Sequence, residues 1–348
     1  MIKKKGYCNK IMNRKGILAL NTHGDLTYCT ASEENRGKGR CNHLFHKRND
    51  ESEQDFLNRI SKFNFININD LDGVNSINAP SSIGGAQTKW WNKNNTILYK
   101  QDVDDPSRGL VQWNGLSEDL ISKFMNELNV YNFAKYETVY INGKIGCSSE
   151  NFIKKDEHLI EFSEILKDED MEYLTNIDNE NFDDKFRYLC NKIKEKTNNQ
   201  YDPSDDLIKL IKLDIVTMNA DRHYGNIALI YNKKDNKFKF STIYDNGQCL
   251  LSENIYKDID AYGENKFNLP GLSMFGMFPM KKYIKFALKH SNKNNNIVID
   301  LNKAEDFIDN YKNNYYNEDK VEKVKWLLWD NIDLYNELGL INNEGEND

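Results

Sequence analysis

No stretch of this 348-residue chain reaches the roughly 18 consecutive apolar residues that a membrane-spanning helix needs, because charge or asparagine interrupts every apolar run. Residues 1–5 lead into no apolar segment of the kind that opens an export signal, so the expectation is a soluble, cytoplasmic protein. Cysteine is scarce too: six in the whole chain are too few to staple a secreted scaffold, and reduced thiols follow as the default. Internal repeats and low-complexity tracts are missing, which excludes collagen-like and disordered chains. What is present is the material of a packed core, with 39% hydrophobic and 12% aromatic residues. The length suits about two domains of roughly 150 residues each.

Charge is distributed unevenly behind a formal net charge of −7. Residues 1–48 carry 11 Lys and Arg against 3 Asp and Glu, a net of +8, and the remainder carries 36 against 51, a net of −15. A basic leader of this kind can face an acidic partner, nucleic acid, or the acidic body of its own chain.

Texture divides the chain into three parts. Residues 1–75 form a basic, loop-rich attachment containing Cys8, Cys29, Cys41, His43 and His46; 76–155 read as short strands with one helix; 156–348 read as mainly helical, broken by one strand pair. In the attachment, Cys41, His43 and His46 lie within six residues, and Cys29 or Cys8 can supply a fourth ligand of a type zinc accepts. The competing reading is reduced cysteines and surface histidines in a basic loop. It is favoured by the absence of a Cys-x-x-Cys pair, whereas the few apolar side chains of residues 1–50 favour a staple.

The middle part opens on Ser81-Ser82-Ile83-Gly84-Gly85-Ala86-Gln87-Thr88-Lys89. Paired glycines after a serine pair let backbone amides turn toward an anion, the way glycine loops cradle phosphates. The apolar runs 89–91 and 96–99, separated by Asn92-Lys93-Asn94-Asn95, are expected to form a hairpin that places Lys100 opposite Gln87, beside the glycine loop. There its ammonium can meet a nucleotide phosphate; the bland alternative is a solvated lysine at a strand end. A helix over 117–128, capped by Ser117, buries Leu120, Ile121, Phe124 and Leu128 and puts Glu118 in its first turn, either favouring the helix dipole or pairing with Lys100. Strands 137–141 and 144–147 follow about the turn Asn142-Gly143, and Glu150-Asn151-Phe152 leaves the sheet as a linker whose backbone can meet an adenine.

The densest signal spans 204–247. Apolar residues at helical spacing predict a helix from a Ser204 cap to Met218, followed by Asp221-Arg222-His223-Tyr224-Gly225-Asn226, a hairpin of strands 227–231 and 238–244, and Asp245-Asn246-Gly247. Folding that hairpin sets Asn226 opposite residue 243, so Asn226 and Asp245 stand side by side although 19 positions apart. Two carboxylates and an amide at one hairpin mouth are oxygen ligands suited to magnesium, with a carboxylate spare to orient a hydroxyl. Each aspartate alone could be a turn former, His223 could be a core histidine holding the loop, and Arg222 reads either as a brace or as a contact to acidic groups of a substrate.

The ordered set Ser82-x-Gly-Gly-Ala-Gln-x-Lys89, Lys100, Asp221-x-His-x-x-Asn226 and Tyr244-Asp245 resembles the HipA-like serine/threonine kinases, the toxin kinases of bacterial toxin and antitoxin pairs, over residues 76–260. The Asp-Arg-His-x-x-Asn form also looks like the phosphatidylinositol-kinase branch of the same fold. Two departures stand out: Arg222 occupies a position where HipA has glycine, and residues 1–75 do not look like its usual N-terminal domain. The resemblance implies an α+β, two-lobed protein-kinase-like fold with ATP and Mg2+ as cofactors. It implies Asp221 as catalytic base, Asn226 and Asp245 as metal ligands, Lys100 with Gly84, Gly85, Ala86 and Gln87 at the phosphates, Glu150 and Phe152 at adenine, and Ser82 as an autophosphorylation site. The expected partners are a protein acceptor and an antitoxin. A lipid or small-molecule kinase, or a nucleotide-binding scaffold whose basic N-terminus docks nucleic acid, are the alternatives.

Overall fold

The computed structural model describes residues 51–66, 87–105, 110–141, 143–177, 181–252 and 270–343, together with the backbone strands Met12–Asn13, Gly16–Leu20, Leu26–Cys29, Leu44–His46 and Asn75–Ile77. By its contacts the chain forms two compact units, Met1–Asp104 with Tyr136–Glu150, and Asp105–Lys135 with Asn151–Asp348. The first is built on strands and the second mainly on helices, so the α+β class expected from the sequence is borne out. Among the described residues no helix is long and apolar enough to cross a membrane.

In the first unit, six strands lie in the order Phe65–Ile66, Tyr136–Ile141, Lys144–Glu150, Ile97–Gln101, Lys89–Trp91, Asn75–Ile77. Alternation places Tyr99, Val139 and Ile141 on one buried face, packed by Ile66, Trp90 and Ile97. The helix Glu53–Ser61, capped by Ser52 on the Asp55 amide at 3.1 Å, adds Phe56 and Ile60 to a second cluster. Both expected hairpins form. In the first, Ile141 pairs with Lys144, and Gly143 takes φ +78° between them.

The other hairpin forms in a different register from the expected one. Asn92 Oδ1 accepts from the amides of Thr96 and Ile97 at 2.7 and 3.2 Å and closes a longer turn, with Asn95 at φ +52°. Lys100 consequently stands opposite Lys89, and Gln101 takes the backbone bond to Thr88. The expected pairing with Gln87 is off by two positions because the turn uses Thr96 as well as the asparagine run.

In the second unit, Glu157–Glu161, Ala228–Asn232 and Lys237–Phe240 make an antiparallel sheet of three strands, one more than the pair expected from the sequence. Against it and around it pack the helices, of which Ser204–Val216 buries nine of its thirteen residues. Its start and stop differ slightly from expectation. Ser204 is already helical, with Asp202 accepting from its amide at 3.1 Å, and the helix ends at Val216 because Met218 turns left-handed at φ +51°. The helix expected over 117–128 runs Asn114–Glu127 with Trp113 before it. Ser117 is therefore not its cap but donates to the Cys249 carbonyl at 2.9 Å, and Glu118 falls in the second turn instead of the first.

The apolar run near 272–280, which periodicity cannot assign, folds as a hairpin of Pro270–Ser273 and Gly276–Pro279. Phe275 at its turn enters an aromatic cluster with Phe182 at 5.2 Å and Phe286 at 5.6 Å, and Tyr283 donates to the Gly276 carbonyl at 2.6 Å. Ring pairs of this kind add about 0.5–1.5 kcal/mol each beyond the area they bury, so the hairpin is firmly seated on Phe182–Lys196 and Met280–Lys289.

Candidate active site

In the strand-built unit, Lys100 lies mid-sheet with its side chain inside, only 2% exposed. Its ammonium donates to the Tyr136 hydroxyl at 3.2 Å and sits 4.9 Å from that ring's centroid. The bland reading of a solvated lysine is excluded by this burial, since an ammonium in such a place needs electron-rich partners. The strand carrying it is pressed against its neighbour: a Cβ on Gly146 would lie 2.1 Å from the Lys100 carbonyl oxygen, so only glycine fits there. Gln87 holds a buried amide nitrogen with no hydrogen-bond partner among the described residues. Gly84, Gly85, Ala86 and Ser82 lie outside the described residues. Glu150 ends the strand Lys144–Glu150 in an exposed position.

In the helical unit, residues 219–226 form a tight loop whose backbone is bonded at almost every step. Asn219 Oδ1 accepts from the Asp221 amide at 2.9 Å, the Asp221 carbonyl accepts from the His223 amide at 3.0 Å and from Asn226 Nδ2 at 3.0 Å, and His223 Nδ1 accepts from the Gly225 amide at 3.1 Å. Asp221 itself is half-buried, its main chain held from both sides. Because the Asn226 amide group is committed to the Asp221 carbonyl, its Oδ1 is the atom left for a cation. His223 holds the loop, as the bland reading of that residue has it.

Arg222 resolves the choice between brace and substrate contact. It is 1% exposed and donates through Nε and Nη2 to Asp214, through Nη1 to the carbonyls of Asn226 at 3.1 Å and Tyr244 at 2.9 Å, and through Nη2 to Asn246 Oδ1 at 2.8 Å. One guanidinium thus ties the loop ending in Asn226 to the loop containing Asp245. Burial pushes the Asp214 carboxyl above its ordinary range, with Arg222 pulling against it. Geometry this complete is what offsets the cost of burying such an ion pair.

After Ser241 the chain leaves the hairpin, so the ladder does not continue to an Asn226–Ile243 pair. Ile243 instead bridges Phe133, and the amides of Ile243 and Ala134 bond to Asn132 and Ile243 carbonyls at 3.0 and 2.8 Å. Asn226 and Asp245 are nevertheless brought together, by Arg222 and by the Tyr244 hydroxyl, which donates to the Gly225 carbonyl at 3.0 Å. Asp245 takes a left-handed φ of +58°, and the buried Glu118 carboxylate accepts from the next amide, Asn246, at 2.9 Å. Leu250 and Leu251 are left-handed too, at +53° and +56°. Each such residue costs about 1–3 kcal/mol, and strain accumulated in one short loop marks a place where the backbone is shaped for a task. Phe152 packs its ring 5.8 Å from that of Tyr244.

The donor set fits a hard cation. Asn226 Oδ1 and the Asp245 carboxylate are oxygen ligands, and two protein ligands are what magnesium uses when waters and phosphates fill the rest of its octahedron. The Gln87 amide nitrogen, buried without a partner, fits a phosphate oxygen in the same sense. Of the zinc candidates, Cys41 and His43 lie outside the described residues, while Cys29 and His46 stand on adjacent antiparallel strands whose register pairs Cys29 with Leu44 and Thr27 with His46.

Sequence reasoning missed Asp214 and the Glu118 contact to the Asp245 loop. A signal existed for the first: Asp214, like Lys212, stands inside the otherwise apolar stretch Leu210 to Val216, and a charged group in a buried stripe needs a polar or charged partner.

No protein-family model matches the chain, and no curated protein matches it. Solved structures to which it is similar include the Helicobacter pylori proinflammatory kinase CtkA, at 18% identity and a TM-score of 0.45, covering 74% of this chain and 92% of that one. Another is the HipA, HipB and operator DNA complex of a Shewanella oneidensis toxin–antitoxin system, at 12% identity and a TM-score of 0.39, covering 84% of this chain and 75% of that one.

Proposed function

We propose that the chain is an ATP-dependent phosphotransferase of HipA-like type acting on a serine or threonine hydroxyl of a protein. The observation that carries this reading is Arg222, which fixes Asn226 and the Tyr244-Asp245 turn to one buried guanidinium while the half-buried Asp221 sits one residue away on the same loop. An oxygen-ligand pair beside a poised carboxylate is the equipment of phosphoryl transfer, where catalysis is largely positioning and charge neutralisation.

In this reading Asn226 Oδ1 and the Asp245 carboxylate would hold magnesium, which when bound neutralises charge on the nucleotide phosphates. Lys100 and Gln87, with the glycine run before it, are assigned to the phosphates, and Glu150 and Phe152 to the adenine. Asp221 accepts a hydrogen bond from the acceptor hydroxyl, orients it, and takes its proton as the new O–P bond forms and the bond to the departing ADP breaks. Glu118 holds the Asp245 turn through the Asn246 amide, and His223 holds the loop before Asn226. Phosphorylation of Ser82 would set about −1.5 to −2 charge beside the glycines and repel ATP, so Ser82→Asp should weaken ATP binding. An antitoxin-like protein partner belongs to the same proposal and should co-purify with the chain.

The test is transfer of the γ-phosphoryl group from radiolabelled ATP to protein and to lipid acceptors. Label on serine or threonine of protein, lost in Asp221→Asn, supports the proposal. Label appearing only on lipid would replace the acceptor, and no label on any acceptor with wild-type chain would overturn the reading.

A further inference from the structure

Beside the catalytic loop the helical unit opens a cavity of about 310 Å³, at the low end of the roughly 300–1,000 Å³ typical of ligand pockets. Its walls come from four places: Met171 and Leu174 on the helix Asp168–Asn176, Lys185 on the helix Phe182–Lys196, Met274 and Phe275 at the turn of the hairpin described above, and Tyr224 of the catalytic loop itself. His223 also reaches it, so two residues immediately after Asp221 and Arg222 belong to the pocket wall. The lining is mostly apolar, yet Met171 is 40% exposed, so the apolar surface opens to solvent and is not closed off as core.

Polar groups stand in this wall as well, Lys185 and Tyr224 among them. Lys185, 4% exposed, approaches the Phe275 carbonyl at 3.5 Å and contributes positive charge. The Tyr224 hydroxyl makes no hydrogen bond among the described residues and can donate to a group in the pocket. The hairpin side is rigid, because the Tyr283 hydroxyl and the aromatic cluster seat the turn that carries Met274 and Phe275. A preformed apolar hollow with a hydroxyl and a cation on its wall suits a side chain arriving on a peptide, whose backbone carbonyls accept hydrogen bonds.

We propose that this pocket is the acceptor-specificity site: it takes a large apolar side chain, aromatic or methionine-sized, that lies within a few residues of the phosphorylated hydroxyl on the acceptor protein. The inference rests on the phosphotransferase reading. Continuity decides the occupant, since Tyr224 lies three residues from the base Asp221, so whatever fills the pocket is held next to the attacking hydroxyl. Tyr224 donates to a peptide carbonyl beside the anchor.

The experiment uses full-length protein carrying 13C-methyl methionine and pools of serine peptides that hold one flanking position fixed as Phe, Met, Asp or Lys. The Phe and Met pools should shift the Met171 and Met274 methyl signals, and the Asp and Lys pools should not. Thr175→Trp, an exposed site on the pocket's rim, and Met171→Glu should each weaken the response to the Phe pool at least tenfold. Equal shifts with all four pools, or none with any, would overturn the proposal, as would methyl shifts produced by raising protein concentration alone or by a free fatty acid but not by peptide. Incorporation of label from ATP, measured separately, fails if the phosphotransferase reading fails, whereas the methyl shifts report peptide binding by themselves.

Discussion

Lys100 and Arg222 are both buried cations, 2% and 1% exposed, one in the strand-built unit and one in the helical unit. Arg222 spends its Nε and both terminal nitrogens on a carboxylate, an amide oxygen and two carbonyls, and it joins two loops that are distant in sequence. Lys100 reaches a neutral phenol at 3.2 Å and lies over its ring. A guanidinium saturated by protein groups has no capacity for a substrate phosphate and acts as a brace. The Lys100 ammonium meets a phenol oxygen and the face of a ring instead. Under the proposed function one residue shapes the site and the other meets the phosphates, and substitution should tell them apart.

The largest effect should fall on stability at Arg222. Arg222→Met strands the Asp214 carboxylate in the core, and losing one partner of a buried pair costs about 3–5 kcal/mol, visible as a lowered midpoint in urea unfolding. An unchanged midpoint would show that the brace is dispensable. Lys100→Met should do the reverse: phosphoryl transfer falls about a hundredfold, equivalent to about 2.7 kcal/mol in the barrier, with the unfolding midpoint nearly unchanged. Equal losses of stability in both variants would erase the distinction. Next, Gly146→Ala forces a methyl group toward the Lys100 carbonyl; overpacking of this kind costs about 1–3 kcal/mol, and the transfer rate should drop with it because the strand bearing Lys100 must move.

The smallest effect concerns Asp170, far from either cation in sequence. Hydrogen bonds from Lys192 and Tyr188 hold its carboxyl down at about 2, so the stability it adds is present above its unfolded-state range and is lost as pH falls from about 4 toward 2. Asp170→Asn should flatten that acid limb in thermal unfolding followed across pH. A limb as steep as the wild type would assign acid loss to other carboxylates.

How much was legible in the sequence follows from which forces set each element. The helix Ser204–Val216 and the 228–232 and 237–240 strands were readable because burial period alone determines them. The proximity of Asn226 and Asp245 was readable too, though for an incomplete reason: hairpin arithmetic brought them together, while the actual chain departs after Ser241 and relies on Arg222. The start of Asn114–Glu127 was misread because Ser117 looked like a cap, and its hydroxyl is instead spent on the Cys249 carbonyl, a contact 132 residues away that local pattern cannot contain. The Lys100 register slipped for the same kind of reason, since an asparagine side chain chose the turn length. The sequence alone leaves Arg222 open between two roles because its partners lie on three separate segments.

The account stands most directly on Asp245, the left-handed residue that would complete the magnesium pair. Transfer from γ-labelled ATP to a mixed protein acceptor should depend on magnesium in the wild-type chain and fall by a factor of about a thousand or more in Asp245→Ala, with its circular dichroism and unfolding midpoint retained. Magnesium-dependent transfer at near wild-type rate in a folded Asp245→Ala protein would contradict the account.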